Sequence, residues 1–162
     1  MAEPFDATRA CAYAMRLLAA REYCAAQMKE RLQSWCARHE MRCTGDDVEA
    51  VLDRLQHAGL LDETRFVQGF FRMRLARGDT PRLAAIKARQ KGARSETVAA
   101  ELAHIQPAYD QAGACRRLLD RRDPQGQRFS DARAWRRHAR YLQQKGFDAA
   151  TILRVMKGEP EQ

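Results

Sequence analysis

Aromatic residues make up only 7% of this 162-residue chain, and no stretch alternates β-branched with polar residues. That scarcity excludes a β-sandwich or barrel, whose strands need such side chains on a pleated, half-buried surface. No apolar run approaches the ~18 residues of a membrane span. Residues 1–9 are mixed and charged, without the apolar core of a signal peptide. The five cysteines, Cys11, Cys24, Cys36, Cys43 and Cys115, are odd in number and form no CxxC pair. A secreted disulfide framework is thereby excluded. The expectation is a cytoplasmic monomer with reduced thiols and no membrane contact.

Catalytic signatures are missing as well. The four histidines, at 39, 57, 104 and 138, are scattered, and there is no G-x-S-x-G, Walker loop or HExxH. The carboxylate pair Asp62-Glu63 falls at an expected helix N-terminus, where capping and the helix dipole account for it. Cys36, His39 and Cys43, with Cys24 one helix-length earlier, have the residue types of a zinc site. Cys24 would lie ~18 Å from Cys36 along a helix axis, however, and structural zinc needs four converging ligands. The sequence therefore predicts no enzyme, no cofactor and no metal.

Acidic charge is scarce in one part of the chain only. Residues 1–60 carry eight basic and nine acidic groups, whereas residues 61–162 carry 21 and 12. Most of the basic groups are arginine, whose planar fork of donors suits phosphates and carboxylates. Such an excess points to a polyanion or an acidic protein face as partner.

Alanine, leucine and arginine are abundant, which favours helix. Residues 81–102 (PRLAAIKARQKGARSETVAAEL) overlie 135–156 (WRRHARYLQQKGFDAATILRVM) at an offset of 54 positions, with Lys91-Gly92 on Lys145-Gly146 and Val98 on Ile152. Each copy is a helix ending in Lys-Gly, a short turn and a second helix, the unit of a modular all-α protein. About nine helical segments fall into three groups. Expected starts are Thr8, Cys24, Asp46, Asp62, Thr80-Pro81, Ser95, Ser130-Asp131 and Asp148. Val48, Val51, Leu52 and Leu55 form an amphipathic stripe. Leu61 and Phe66 are placed as a hydrophobic staple at the opening of the second group, with Phe70 and Met73 continuing its buried side. Trp135, Ala139, Tyr141 and Leu142 are core candidates in the third group. No sheet is expected.

Several motifs follow one another along most of this chain. Cys24-x-x-Gln27-Met28-x-x-Arg31-Leu32 is similar to an S-x-x-E-L-x-x-K-L pattern. Leu61-Asp62-Glu63-x-x-Phe66-Val67 is similar to L-[DN]-D-x-x-F-A. Gly78, Arg82-Leu83 and Lys91-Gly92 follow, and then Tyr141-Leu142-x-x-Lys145-Gly146-Phe147 and Ile152. In this order the motifs resemble the RecX family of bacterial RecA regulators. Cys24 departs from the family's serine and Val67 from its alanine. The segment from Gly78 to Gly92 is one residue longer, with Ile86 and Ala88 near the expected leucine.

The resemblance implies three tandem three-helix repeats in an elongated, curved arrangement, over residues 1–59, 60–106 and 107–158, with a frayed tail at 159–162. It also implies a negative regulator that occupies the groove of the RecA filament on single-stranded DNA and suppresses recombinase, ATPase and co-protease activities. Leu61, Asp62, Glu63, Phe66, Gly78, Gly92, Gly146 and Phe147 would then be structural. The candidate filament-binding face is basic. In the middle group it comprises Arg72, Arg74, Arg77, Arg82, Arg89 and Lys91. In the last it comprises Arg116, Arg117, Arg121, Arg122, Arg133, Arg136, Arg137, Arg140 and Lys145. Arg133, Arg136, Arg137 and Arg140 share one helical face by their spacing. Direct contact with single- or double-stranded DNA stays open. So do two alternatives: a helix-turn-helix DNA reader, and a helical adaptor whose basic face docks an acidic protein.

Overall fold

The computed structural model describes residues 3–158; the tail expected at 159–162 lies outside them. Among the described residues there are nine α-helices: α1 (Ala7–Ala20), α2 (Ala25–Arg38), α3 (Gly45–His57), α4 (Glu63–Ala76), α5 (Pro81–Gln90), α6 (Ser95–Ile105), α7 (Gln111–Arg122), α8 (Ala132–Gln144) and α9 (Ala149–Lys157). Short 3-10 turns occupy Gln106–Ala108 and Gln127–Phe129. The fold is all-α. The expectation of no sheet needs one correction: β1 (Glu3–Pro4) and β2 (Met41–Arg42) pair in parallel. Two residues per strand require no alternating pattern, so nothing in the sequence marks them.

The caps show how local chemistry sets the helix starts. Asp6, not Thr8, caps α1, and its Oδ1 accepts from Thr8 N and Arg9 N at 2.9 and 3.0 Å. Thr44, not Asp46, caps α3. Its hydroxyl accepts from Asp47 N at 3.2 Å while Asp47 Oδ2 accepts from Thr44 N at 2.9 Å. This reciprocal box satisfies two orphan donors and outcompetes a lone aspartate two residues later. Asp62, Asp131 and Asp148 accept from Arg65, Arg133 and Thr151 N–H groups at the starts of α4, α8 and α9.

The chain forms two compact units. One comprises Met1–Phe70 and Lys87–Glu101, the other Phe71–Ile86 and Leu102–Gln162. In the first, Ala10, Ala14, Met28, Leu32, Trp35, Val48, Val51, Leu52, Leu55 and Leu61 build the core. The predicted α3 stripe is its centre. Cys24 gives α2 no side-chain cap. Glu63 supplies one instead: its carboxylate accepts from Ala25 N at 3.0 Å and from Arg94 N at 2.8 Å. Cys24 Sγ donates to Lys91 O at 3.3 Å. Gly92 has φ +89°, and a Cβ there would come within 2.8 Å of the Ala26 Cβ, so only glycine fits.

The second unit repeats this seat with other residues. Thr80 N donates to Lys145 O at 2.9 Å, and Thr80 Oγ1 donates to Gly146 O at 3.4 Å. Gly146, at φ +92°, lies against Thr80 and Leu83. Thus each Lys-Gly turn packs on a helix start: Lys91-Gly92 on α2, and Lys145-Gly146 on α5. Cys115, Leu118, Leu119, Leu142, Phe147, Ile152, Val155 and Met156 form the core of this unit.

Helix α4 contributes Phe66 to one unit and Phe71 to the other. Phe66, Val67 and Phe71 are buried, Phe70 is half-buried, and Met73 is exposed, against the expected stripe. A helix that serves two units does not bury a single stripe. In α5, Ala84, Ala85 and Ala88 are buried and Ile86 is exposed, which fixes its register on Ala88.

Candidate functional site

Helix α8, ARAWRRHARYLQQ, divides sharply between its two sides. Ala134, His138 and Leu142, at i, i+4 and i+8, are buried. Trp135, Ala139 and Tyr141 pack partly against the core, so Trp135 and Tyr141 are half-buried rather than interior. Arg133, Arg136, Arg137 and Arg140 are exposed. With Arg122, Tyr141 and Gln144 they line a concavity of about 370 Å³. The Arg122 guanidinium lies over the Tyr141 ring, 4.0 Å from its centroid, a cation–π contact that anchors one edge. Among the described residues, no carboxylate pairs with Arg133, Arg136, Arg137 or Arg140. Four like charges on one face repel, and an acidic or phosphate-rich partner relieves that repulsion.

Behind the arginines lies a buried polar network. Asp123 accepts from Gln127 N at 2.8 Å, Arg128 N at 3.2 Å and Arg128 Nη1 at 2.9 Å. Arg128 Nε also donates to Met156 O at 3.3 Å. This clamps the 122–129 loop and, with it, Arg122. Burial alone would raise the Asp123 carboxyl pKa. The bonds from the Arg128 side chain and the loop backbone outweigh it and hold the carboxyl below its usual range. His138 Nε2 lies 4.0 Å from Asp123 Oδ1, and its Nδ1 has no hydrogen-bond partner. Burial lowers the His138 pKa, helped by the charges of Arg137, Arg122 and Arg128 and opposed by Asp123.

A family model for the third three-helix domain of RecX matches residues 109–156, which span α7, α8 and α9. Regulatory protein RecX of Mycobacterium leprae (strain Br4923) is 35% identical over 147 residues, covering 90% of this chain and 82% of the relative. Regulatory protein RecX of Herminiimonas arsenicoxydans is 32% identical over 152 residues, covering 93% and 92%. The chain belongs to the RecX family. The arginine concavity lies wholly inside the matched RecX domain.

Other basic residues of this RecX chain are placed differently. Arg74 and Lys145 turn inward. Arg74 Nε donates to Asp79 Oδ2 at 2.6 Å, and Lys145 Nζ lies 3.4 Å from Asp79 Oδ1 and donates to Arg77 O at 2.7 Å. Asp79 is buried, so both cations neutralise an interior carboxylate. Arg117 pairs with Asp110 at 3.6 Å. With Arg121, Tyr109, Leu118 and Asp120 it lines a separate concavity of about 480 Å³. Arg116 is half-buried. Arg72, Arg77 and Arg82 are exposed on the second unit, whereas Arg89 and Lys91 are exposed on the first. The structure therefore gathers Arg122, Arg133, Arg136, Arg137 and Arg140 in one concavity and places the other candidates elsewhere.

Leu61, Phe66 and Phe147 are buried, Asp62 and Glu63 cap helices, and Gly78, Gly92 and Gly146 have positive φ. Gln144 and the platform made by Tyr141 escape sequence reading, since each residue alone is unremarkable on a helix. Sequence reading also passes over Asp79 and Asp123, which stand beside Thr80-Pro81 and Pro124. Among the described residues, no three His, Cys, Asp or Glu side chains converge on a metal position. Burial and a hydrogen bond with Cys43 push the Cys36 thiol pKa up, and burial pushes Cys115 to about 12. No helix among the described residues is long and apolar enough to cross a membrane.

Proposed function

We propose that this RecX-family chain is a non-enzymatic negative regulator of RecA. It binds in the groove of the RecA–single-stranded DNA filament and suppresses recombinase, ATPase and co-protease activities. Residues 1–59, 60–106 and 107–158 serve as its three modules. The observation that carries the reading is the concavity of Arg122, Arg133, Arg136, Arg137 and Arg140, free of carboxylates and inside the family-matched domain. A reader of operator DNA needs polar donors at the N-terminus of its recognition helix. At the start of α8 the Asp131 carboxylate occupies that position, accepting from Arg133 N at 2.7 Å, which disfavours that alternative.

The test is co-sedimentation with RecA filaments assembled on single-stranded DNA, alongside ATPase inhibition. Arg136→Glu with Arg137→Glu is expected to weaken binding by roughly tenfold or more at low salt, since charge reversal turns attraction into repulsion. Wild-type inhibition fades as salt screens the face. Inhibition by the double variant equal to wild type at low salt would make this a solvated face and move attention to Arg72 and Arg77.

A further inference from the structure

Arg136 and Arg140 line a second feature as well as the concavity. Between α8 and α9 runs a trough of about 720 Å³. Trp135, Ala139, Ile152 and Leu153 give it an apolar lining, and Arg136 and Arg140 a basic one. Leu153 is 49% exposed, although it sits on a nine-residue helix whose inner face already has Ile152, Val155 and Met156 buried.

We propose that this trough is a docking groove for an acidic protein segment with one large apolar anchor. The anchor lies against Trp135 and Leu153, and flanking carboxylates meet Arg136 and Arg140. Charge complementarity selects this occupant. Neither arginine has a carboxylate partner among the described residues. The one carboxylate of the lining, Asp148, is held by Thr151 N at 2.8 Å, Thr151 Oγ1 at 2.9 Å and Gln111 Nε2. A sugar–phosphate backbone matches the arginines but not the apolar lining. A second copy docking by the same groove would set arginines against arginines. An amphipathic acidic segment satisfies both surfaces, with aromatic and arginine contacts of the kind that dominate protein interfaces. The inference goes beyond filament binding, and its test contains no RecA.

The experiment uses the full chain and a fluorescein-labelled synthetic peptide of aspartate and glutamate bearing a single phenylalanine. Anisotropy gives the affinity, and tryptophan emission reports the groove, because Trp135→Phe should abolish the change while Trp35 remains in the other unit. Saturable binding is expected, weakened roughly tenfold by Leu153→Asp, as for loss of a central anchor. Leu153 is exposed, so circular dichroism and the melting midpoint should show the variant folded. An equal change in net charge elsewhere, by Arg54→Gln, should leave affinity within about twofold, as distant exposed charges contribute little. Equal binding of a peptide whose phenylalanine is replaced by serine would overturn the proposal, since charge alone would explain it. So would displacement of the peptide by an oligothymidylate whose own binding depends on Leu153. Such a result assigns the groove to nucleic acid.

Discussion

Two buried aspartates carry more of this protein than their turn positions suggest. Asp79 is 1% exposed and meets Arg74 and Lys145. Removing one member of such a set leaves the others charged and desolvated. Asp79→Asn is therefore expected to cost about 3–5 kcal/mol in urea unfolding. An unchanged midpoint would show that water reaches the site. Asp123 and His138 give the fold an acid sensitivity with two windows. His138 has a lowered pKa in the fold, so the unfolded chain takes up the proton first, and stability falls once pH drops below about 6.5. Asp123 also has a lowered pKa. Its contribution is full above about pH 4 and is lost as pH falls through the folded value. Urea midpoints between pH 8 and pH 3 should show both steps, and His138→Gln should abolish the first. Neither aspartate was legible as interior, because a sequence shows a polar residue before Thr-Pro or Pro and not the cations that arrive from elsewhere in the chain.

At the scale of elements, capping and packing decide the starts. Phe66 is buried at the opening of α4, in the unit that holds Leu61 in its core. Phe66→Ala should cost roughly 3–5 kcal/mol by the cavity it leaves, read from the unfolding midpoint, and a small change would mark a surface docking position instead. Helix number and the α3 stripe were legible because they rest on local periodicity. The staple residues Leu61 and Phe66 were legible for the same reason. The caps of α1 and α3 were misplaced by two residues, since several Asp and Thr side chains compete and only the geometry of the turn decides. The exposure of Met73 was not legible, because α4 passes from one compact unit into the other and periodicity assumes a single buried face. Glu63 capping Ala25 across 38 positions was beyond any local pattern.

For the molecule as a whole, the excess of positive charge over residues 61–162 was plain in composition, while its concentration was not. Spacing along α8 showed the four arginines together. It did not show that Arg122 closes the concavity, that Arg74 and Lys145 are spent inside, or that Arg117 already has Asp110. The most far-reaching feature is the distance in sequence between α2 and what secures its first turn. The carboxylate that receives Ala25 N follows it by 38 positions, and the carbonyl that receives Cys24 Sγ follows it by 67. During synthesis α1, α2 and α3 are complete in sequence before either anchor is added. A released fragment ending near residue 60 should be cut readily by protease within α2, and one extended past about residue 101 should resist, because local opening sets cleavage. Equal resistance at both lengths would mean that α1–α3 hold together unaided. Between those two lengths the first turn of α2 lacks one or both of its distant partners.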